Sequence, residues 1–258
     1  MNQQLFKNYR KLVEQVWIPI FVKDELNTDI LLEGCALAGL DVIEYTLRRE
    51  DAAKVVKTLK KQYPETVVLM GSTIDSDTIV NERKGKYPQL MTIAELAPFV
   101  DGFVSMMPYS DETLRKYSKT HLCIPAAETS GEALRQVNAG AAFIKVLGPD
   151  LTLSKWLHAL PTFNYCPTYI TGGMIPERME DAFSAGNILI AAGFDVVLKG
   201  IDPADLTPEL VAERIRIFLD AAKRARAKAC PQLEDTQALT DEEFLKCLPN
   251  YYNSCQGE

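Results

Sequence analysis

The sequence contains no Cys-x-x-Cys pair, and its two histidines, His121 and His158, stand far from any zinc-ligand spacing. That argues against a structural zinc site. The six cysteines, Cys35, Cys123, Cys166, Cys230, Cys247 and Cys255, outline no disulfide framework. Cys35 and Cys123 lie in apolar segments, where a thiol packs as a small hydrophobe. This usage fits a reducing, cytoplasmic compartment. No stretch approaches the roughly 18 apolar residues that span a bilayer. The opening Met1-Asn2-Gln3-Gln4-Leu5-Phe6-Lys7 is polar and lacks the apolar centre of a signal peptide. Basic charge is in deficit, with 28 Lys and Arg against 35 Asp and Glu and a net charge of -7. Nucleic acid is therefore a poor partner, although a local pocket on an acidic protein can still hold a small anion. No Gly-x-Gly-x-x-Gly follows the first apolar run, so a dinucleotide-binding sheet loses support.

What is present is a soluble, globular pattern. The chain has 258 residues, 47% of them hydrophobic, and a mean hydropathy of -0.07. Short apolar or β-rich runs recur at intervals of about 20 to 25 residues. They are Trp17–Val22, Val42–Leu47, Val67–Met70, Gly102–Ser105, His121–Pro125, Phe143–Leu147, Thr168–Thr171 and Ile188–Ala191. Helical stripes lie between most of them. Ala52, Val55, Val56 and Leu59 form one, and Leu153, Trp156, Leu157 and Leu160 repeat its spacing. Pro176 can open a helix with Met179, Ala182 and Phe183 on its apolar face, and Gly186 can end it. The segments Asn81–Glu95 and Asp111–Thr120 are polar and read as irregular helices.

Strands alternating with helices predict a (β/α)8 TIM barrel, with an open doubly wound sheet as the main rival. The barrel is expected over residues 1–204, with an N-terminal helix. A C-terminal helical extension and polar tail over 205–258 pack on the barrel or extend from it. Thr207-Pro208 starts the helix of that extension, Val211, Ile215, Phe218 and Ala222 line one face, and Lys223, Arg224, Arg226 and Lys228 make a solvated basic end. Pro231 breaks it, and one short helix is expected at Asp241–Cys247.

Barrel enzymes collect their functional groups at the C-terminal ends of the strands. Lys145 lies inside the apolar run Ala141-Ala142-Phe143-Ile144-Lys145-Val146-Leu147. A buried strand favours a neutral, nucleophilic amine, and the competing reading is a strand-end lysine snorkelling to solvent. In Val42-Ile43-Glu44-Tyr45-Thr46-Leu47-Arg48 the period of two puts Glu44, Thr46 and Arg48 on one side. Interior charges of that kind are either used or form a plain ion pair. Met70-Gly71-Ser72-Thr73 supplies hydroxyls and close backbone approach. Thr171-Gly172-Gly173 before the Pro176 helix offers backbone N–H groups to an anion, as well as an ordinary strand-to-helix turn. Together these residues make a coherent amine-catalysis site.

At these positions the chain resembles the class I aldolases that split 2-keto-3-deoxy-6-phosphogluconate or 4-hydroxy-2-oxoglutarate. The matching residues are Ile18-Pro19-Ile20, Glu44 to Arg48, Gly71-Ser72-Thr73, Ile124-Pro125, Lys145 with Pro149, and Thr171 to Gly173. They run in order from about Trp17 to Val197. The resemblance implies that Lys145 forms a Schiff base with a 2-keto acid and that Glu44 moves protons. It implies that Arg48 and Thr73 hold the carboxylate of the pyruvate half, and that Thr171, Gly172 and Gly173 complete the substrate site. It also implies a metal-independent lyase with no cofactor and a homotrimeric assembly, while the charge balance and the short apolar runs give no nucleic-acid or membrane partner.

The match fails at the acceptor end. The family's Gly-Gly-Ser on the eighth strand becomes Ala192-Gly193-Phe194-Asp195, which loses a phosphate-holding hydroxyl and gains a carboxylate. The fourth strand continues Ser105-Met106-Met107-Pro108, the lysine strand continues Val146-Leu147-Gly148-Pro149, and the fifth ends Ala126-Ala127-Glu128-Thr129-Ser130. Glu128 and Phe194 are therefore the candidate aldehyde-side residues. The competing functional readings are a non-catalytic or regulatory barrel that binds a small 2-keto acid, and another phosphosugar isomerase or synthase using Glu44 as base.

Overall fold

The computed structural model describes residues 2–148, 150–159, 164 and 166–249. After α1 (Gln3–Gln15), strands and helices alternate along the chain. The first half comprises β1 (Trp17–Phe21), α2 (Thr28–Leu37), β2 (Val42–Thr46), α3 (Ala52–Gln62), β3 (Val67–Thr73), α4 (Asp77–Arg83), α5 (Ile93–Leu96) and β4 (Gly102–Ser105). Next come α6 (Asp111–Tyr117), β5 (Leu122–Ile124), α7 (Ser130–Ala139), β6 (Ile144–Leu147), α8 (Thr152–His158), β7 (Thr168–Thr171), α9 (Pro176–Ser184) and β8 (Leu189–Gly193). The chain ends with α10 (Phe194–Val197), α11 (Pro208–Ala229) and α12 (Asp241–Cys247).

The eight strands form one parallel sheet in the order β5-β4-β3-β2-β1-β8-β7-β6. This is the (β/α)8 TIM barrel expected from the strand spacing. The seam between β5 and β6 closes through backbone hydrogen bonds rather than a full ladder. Ala142 N donates to Cys123 O at 2.8 Å, Lys145 N to Pro125 O at 2.8 Å, and Ala127 N to Lys145 O at 3.1 Å. Lys145 is thus the residue at which the barrel is fastened.

Alternation along the strands separates two cores. Outward residues such as Phe21, Tyr45, Met70, Phe103, Ile170 and Ile190 pack under the helices. Inward residues such as Ile20, Leu69, Val104, Ile124, Tyr169 and Ala191 fill the barrel, and they share one cluster with Leu5, Tyr9, Leu12 and Val13 of α1 and with Leu233, Phe244 and Leu248. Tyr9 stacks on Phe143 at 4.8 Å between centroids. The first helix and the segment after α11 therefore plug the N-terminal end of the barrel. Arg10 fixes that segment by donating to Leu239 O at 2.9 Å, and its guanidinium covers the Phe244 ring at 4.9 Å. The remainder of the tail, 250–258 with Cys255, lies outside the described residues, as do Pro149 and Leu160.

Gln15 shows how the lower end is stitched. The β1–β2 ladder is registered only at Ile20–Glu44 and Phe21–Tyr45. Below it, the buried Gln15 carboxamide takes over the pairing. Its Nε2 donates to Trp17 O at 2.9 Å and Val42 O at 2.8 Å, and its Oε1 accepts from Asp41 N at 2.7 Å and Val42 N at 2.8 Å. Replacing Gln15 with alanine strands these groups without water. The expected loss is about 3 kcal/mol, or roughly 6 to 12 °C in melting temperature for a domain of this size. Calorimetry on Gln15→Ala checks it, and a shift under about 2 °C contradicts it.

The sequence expectations for several helices hold in detail. Thr207 caps α11 by accepting from Leu210 N, and Val211, Ile215, Phe218 and Ala222 are buried. Met179, Ala182 and Phe183 are buried on α9, which opens at Pro176. Two expectations need correction. Trp156 is 71% exposed, because the face that α8 buries runs through Ser154 and Leu157. Ser154 Oγ donates to Asn187 Oδ1 there at 3.0 Å. The basic end of α11 is not wholly solvated either. Arg226 is buried and donates to the carbonyls of Val13 and Ile188, and burial pushes its guanidinium down to about 10.

Cys35, Cys123, Cys166 and Cys230 are buried free thiols. Burial raises Cys123 and Cys166 to about 12, so these thiols are packing groups rather than nucleophiles. No helix among the described residues is long and apolar enough to cross a membrane.

Candidate active site

Three inward side chains from three strands meet inside the barrel. Lys145 stands on β6, directly paired in register with Tyr169 on β7. Glu44 comes from β2, where it is registered with Ile20 and Leu69. Lys145 Nζ lies 3.6 Å from Glu44 Oε1 and 5.8 Å from the centroid of the Tyr169 ring. The Tyr169 hydroxyl donates to the other carboxylate oxygen, Glu44 Oε2, at 2.5 Å. Exposure is 3% for Lys145, 1% for Glu44 and 0% for Tyr169. Lys145 does not snorkel. Its amine points to a carboxylate, a pairing without which a buried charge is costly.

The Glu44 carboxylate lies flat against β3. A Cβ on Gly71 would stand 2.3 Å from Glu44 Oε1 and 2.9 Å from Thr46 Cγ2. Glycine at 71 is therefore the condition for Glu44 to occupy this place. Thr46, also inward, spends its hydroxyl on Phe21 O at 2.7 Å. Burial beside Glu44 holds the Tyr169 phenol well above its ordinary range, so the phenol keeps its proton and acts as a donor.

The polar strand ends fall into three groups. First, β2 stops at Thr46, so Arg48 is carried by the following turn, exposed, with Nε donating to Ser72 Oγ at 3.1 Å. Its neighbour Arg49 is buried and structural, bonded to Leu26 O at 3.0 Å and to Asp51 Oδ1 at 3.1 Å. Second, β3 is irregular between Met70 and Thr73, with Ser72 at φ 59. The irregularity presents Ser72 to Arg48 and turns Thr73 into the wall. Thr73 Oγ1 donates to Val104 O at 3.0 Å and shares a hydrogen bond with the Tyr109 hydroxyl at 2.5 Å. Third, Thr171 is buried two positions beyond Tyr169 and on the same side. Gly172 and Gly173 follow at φ 100 and φ 64 in an exposed turn.

The acceptor-side candidates separate. Glu128 is exposed beyond β5, with its N–H tied to Glu132. Phe194 is fully buried and meets Phe21 edge-on at 4.9 Å. It belongs to the layer between strands and helices, not to the barrel mouth, because the inward position of β8 falls on Gly193, registered with Ile20. Asp195 is the residue that reaches back. Its Oδ1 would lie 2.1 Å from a Cβ on Gly193, so the carboxylate covers the strand end where a seryl hydroxyl was missing from the sequence. No group of three or more His, Cys, Asp or Glu among the described residues is placed to hold a metal ion.

Tyr169 is the site residue that the sequence analysis did not single out. Counting back two from Thr171 places it inward, but its bond to Glu44 spans 125 positions and has no local signal. Ser72 entered the sequence analysis only as one hydroxyl of Gly71-Ser72-Thr73, and the resemblance gave the carboxylate role to Thr73 instead.

The class defined by this fold is the parallel (β/α)8 barrel, and solved aldolases are among the structures it is similar to. The native KDPGal structure matches at TM-score 0.61 and 21% identity, covering 81% of this chain and 95% of that one. The 4-hydroxy-2-oxoglutarate/2-dehydro-3-deoxyphosphogluconate aldolase from TTHB1 matches at TM-score 0.61 and 18% identity, over 85% and 98%. A KDPG aldolase from Legionella pneumophila, with pyruvate captured as a covalent carbinolamine intermediate, matches at TM-score 0.59 and 17% identity, over 81% and 97%. No protein-family model matches the chain, and no curated protein matches it significantly. The likeness is thus one of fold, and the chemistry has to be argued from the site.

Proposed function

We propose that the chain is a class I aldolase. It splits a 2-keto-3-deoxy sugar acid or 4-hydroxy-2-oxoglutarate into pyruvate and an aldehyde through a Schiff base on Lys145. The observation that carries the reading is the buried Lys145 amine facing Glu44 Oε1 at 3.6 Å inside an aldolase-like barrel. Glu44 takes a proton from the ammonium, and the free amine attacks the C2 ketone. The carbinolamine oxygen receives a proton through Glu44 and leaves as water, giving the iminium. Glu44, ionised again, takes the proton of the C4 hydroxyl through a water, and the C3–C4 bond breaks. The aldehyde departs and the electron pair is stored as an enamine. Protonation at C3 and hydrolysis release pyruvate and restore the lysine. The iminium supplies the electron sink, so the scheme draws on no cofactor or metal.

Arg48 and Ser72, with Thr171, are assigned to the carboxylate of the pyruvate half. Thr73 supports them from the wall. Gly172 and Gly173 offer backbone N–H groups at the mouth. A homo-oligomeric, trimeric assembly is part of the proposal and follows from the resemblance alone, and the cytoplasmic setting follows from the cysteine usage.

The acceptor half is assigned to an unphosphorylated aldehyde. Asp195 covers the Gly193 end of β8, and a phosphate brought close to a carboxylate there meets like charge. Wild type is expected to cleave the unphosphorylated 2-keto-3-deoxy acid with kcat/KM at least about tenfold above its phosphorylated counterpart, a difference near 1.4 kcal/mol. Asp195→Ser narrows or inverts that ratio. Pyruvate release measured on both substrates checks the assignment. A clear preference of wild type for the phosphorylated acid sinks it and leaves the Schiff-base chemistry untouched.

A further inference from the structure

We infer that Tyr169 is a positioning residue for Glu44, fixing which carboxylate oxygen serves Lys145; the inference rests on the aldolase reading above. The two oxygens of Glu44 have different neighbours. Oε2 accepts the phenol hydrogen at 2.5 Å, and Oε1 faces Nζ at 3.6 Å. Tyr169 and Lys145 are cross-strand partners, so the phenol and the amine approach the same carboxylate from one wall of the barrel. Gly71 on β3 leaves the space that Glu44 Oε1 occupies.

A carboxylate able to rotate presents either oxygen to the amine and spends part of its time turned from it. With Oε2 occupied, the proton from Lys145 goes to Oε1, the oxygen that also stands nearest the carbinolamine formed on Nζ. The phenol is fully buried and keeps its own proton, so it holds the carboxylate without competing for the proton in transit. The Tyr169 ring also presents its face to the ammonium at 5.8 Å, within the range of cation–π attraction. Tyr169→Phe retains that ring and its packing and removes one hydroxyl, which isolates the positioning effect.

The test is the rate of pyruvate adduct formation, read by borohydride quenching and intact mass, in wild type, Tyr169→Phe, Glu44→Gln and the double variant. Tyr169→Phe is expected to slow adduct formation on the order of 10- to 100-fold, as loss of a charge-assisted hydrogen bond at a reacting group does. In the Glu44→Gln background the same change is expected to add less than about threefold, because the carboxylate it positions is gone. A structural role predicts equal slowing in both backgrounds, and that outcome overturns the inference. So does Tyr169→Phe at the wild-type rate. The double variant leaves no carboxylate without its donor. Its comparison with Glu44→Gln therefore stands as a test even if Tyr169→Phe alone fails to fold, and slowing beyond about tenfold there sinks the inference. Absence of an adduct on wild type overturns the inference and the aldolase reading together. An adduct on wild type with an unaffected Tyr169→Phe overturns the inference alone.

Discussion

Lys145→Met is expected to lose at least about 10⁴-fold in retro-aldol kcat, because the covalent route has no substitute nucleophile within the barrel. Methionine keeps the length and apolar stem of lysine, so the interior packing survives. No other described lysine lies in the barrel interior. Lys145 is the one lysine among the buried residues, and its ionisable neighbours in the interior are Glu44 and Tyr169. The replacement also leaves Glu44 buried with only the Tyr169 hydroxyl as donor. Losing one member of a buried pair costs about 3 to 5 kcal/mol, so a lowered melting temperature should accompany the lost activity. The two effects separate in Lys145→Met/Glu44→Gln. That variant removes the unpaired charge and should regain part of the stability while remaining inactive. Retention of more than about 1% of wild-type turnover in a folded Lys145→Met is incompatible with lysine as the nucleophile.

Glu44→Gln is expected to lower kcat on the order of 10²- to 10⁴-fold with little change in KM. The carboxamide has nearly the shape of the carboxylate, and its oxygen can still accept from Tyr169. Its NH2 group then faces Lys145 at the place of Oε1, donor toward donor, and cannot take a proton. Arg48, Ser72 and Thr171, the residues assigned to the substrate in the proposal, are left in place, so the loss is expected to fall on kcat. Steady-state kinetics on the cleavable 2-keto acid decides it. A rise in KM with unchanged kcat assigns Glu44 to binding instead of proton transfer.

Much of the barrel was legible before any coordinates, because a βα repeat leaves a strong one-dimensional trace. The eight apolar runs each became a strand, with ends moved by at most three residues. The buried placement of Lys145 and Glu44 was legible for a related reason: an ionisable residue in an apolar strand conflicts with its surroundings. Legibility ended where the backbone left its regular period. The irregularity at Ser72 leaves Ser72 as the partner of Arg48 and spends the Thr73 hydroxyl on Val104 and Tyr109. The early end of β2 moves Arg48 from strand to turn. Phe194 looked like a mouth residue because it follows the last strand, yet the start of α10 turns it back into the helical layer. Tyr169 and Arg226 were missed for the opposite reason. An aromatic in a strand and a basic residue at a helix end are both ordinary there. Only the fold brings Glu44 to one and the carbonyls of Val13 and Ile188 to the other.

The central claim is that Lys145 forms an imine with a 2-keto acid. Intact mass after incubation with pyruvate and sodium borohydride, on wild type beside Lys145→Met, tests it most directly. The account predicts a reduced pyruvate adduct, one per chain, on wild type and none on the variant. An unmodified wild type, or an adduct that persists in Lys145→Met, contradicts it.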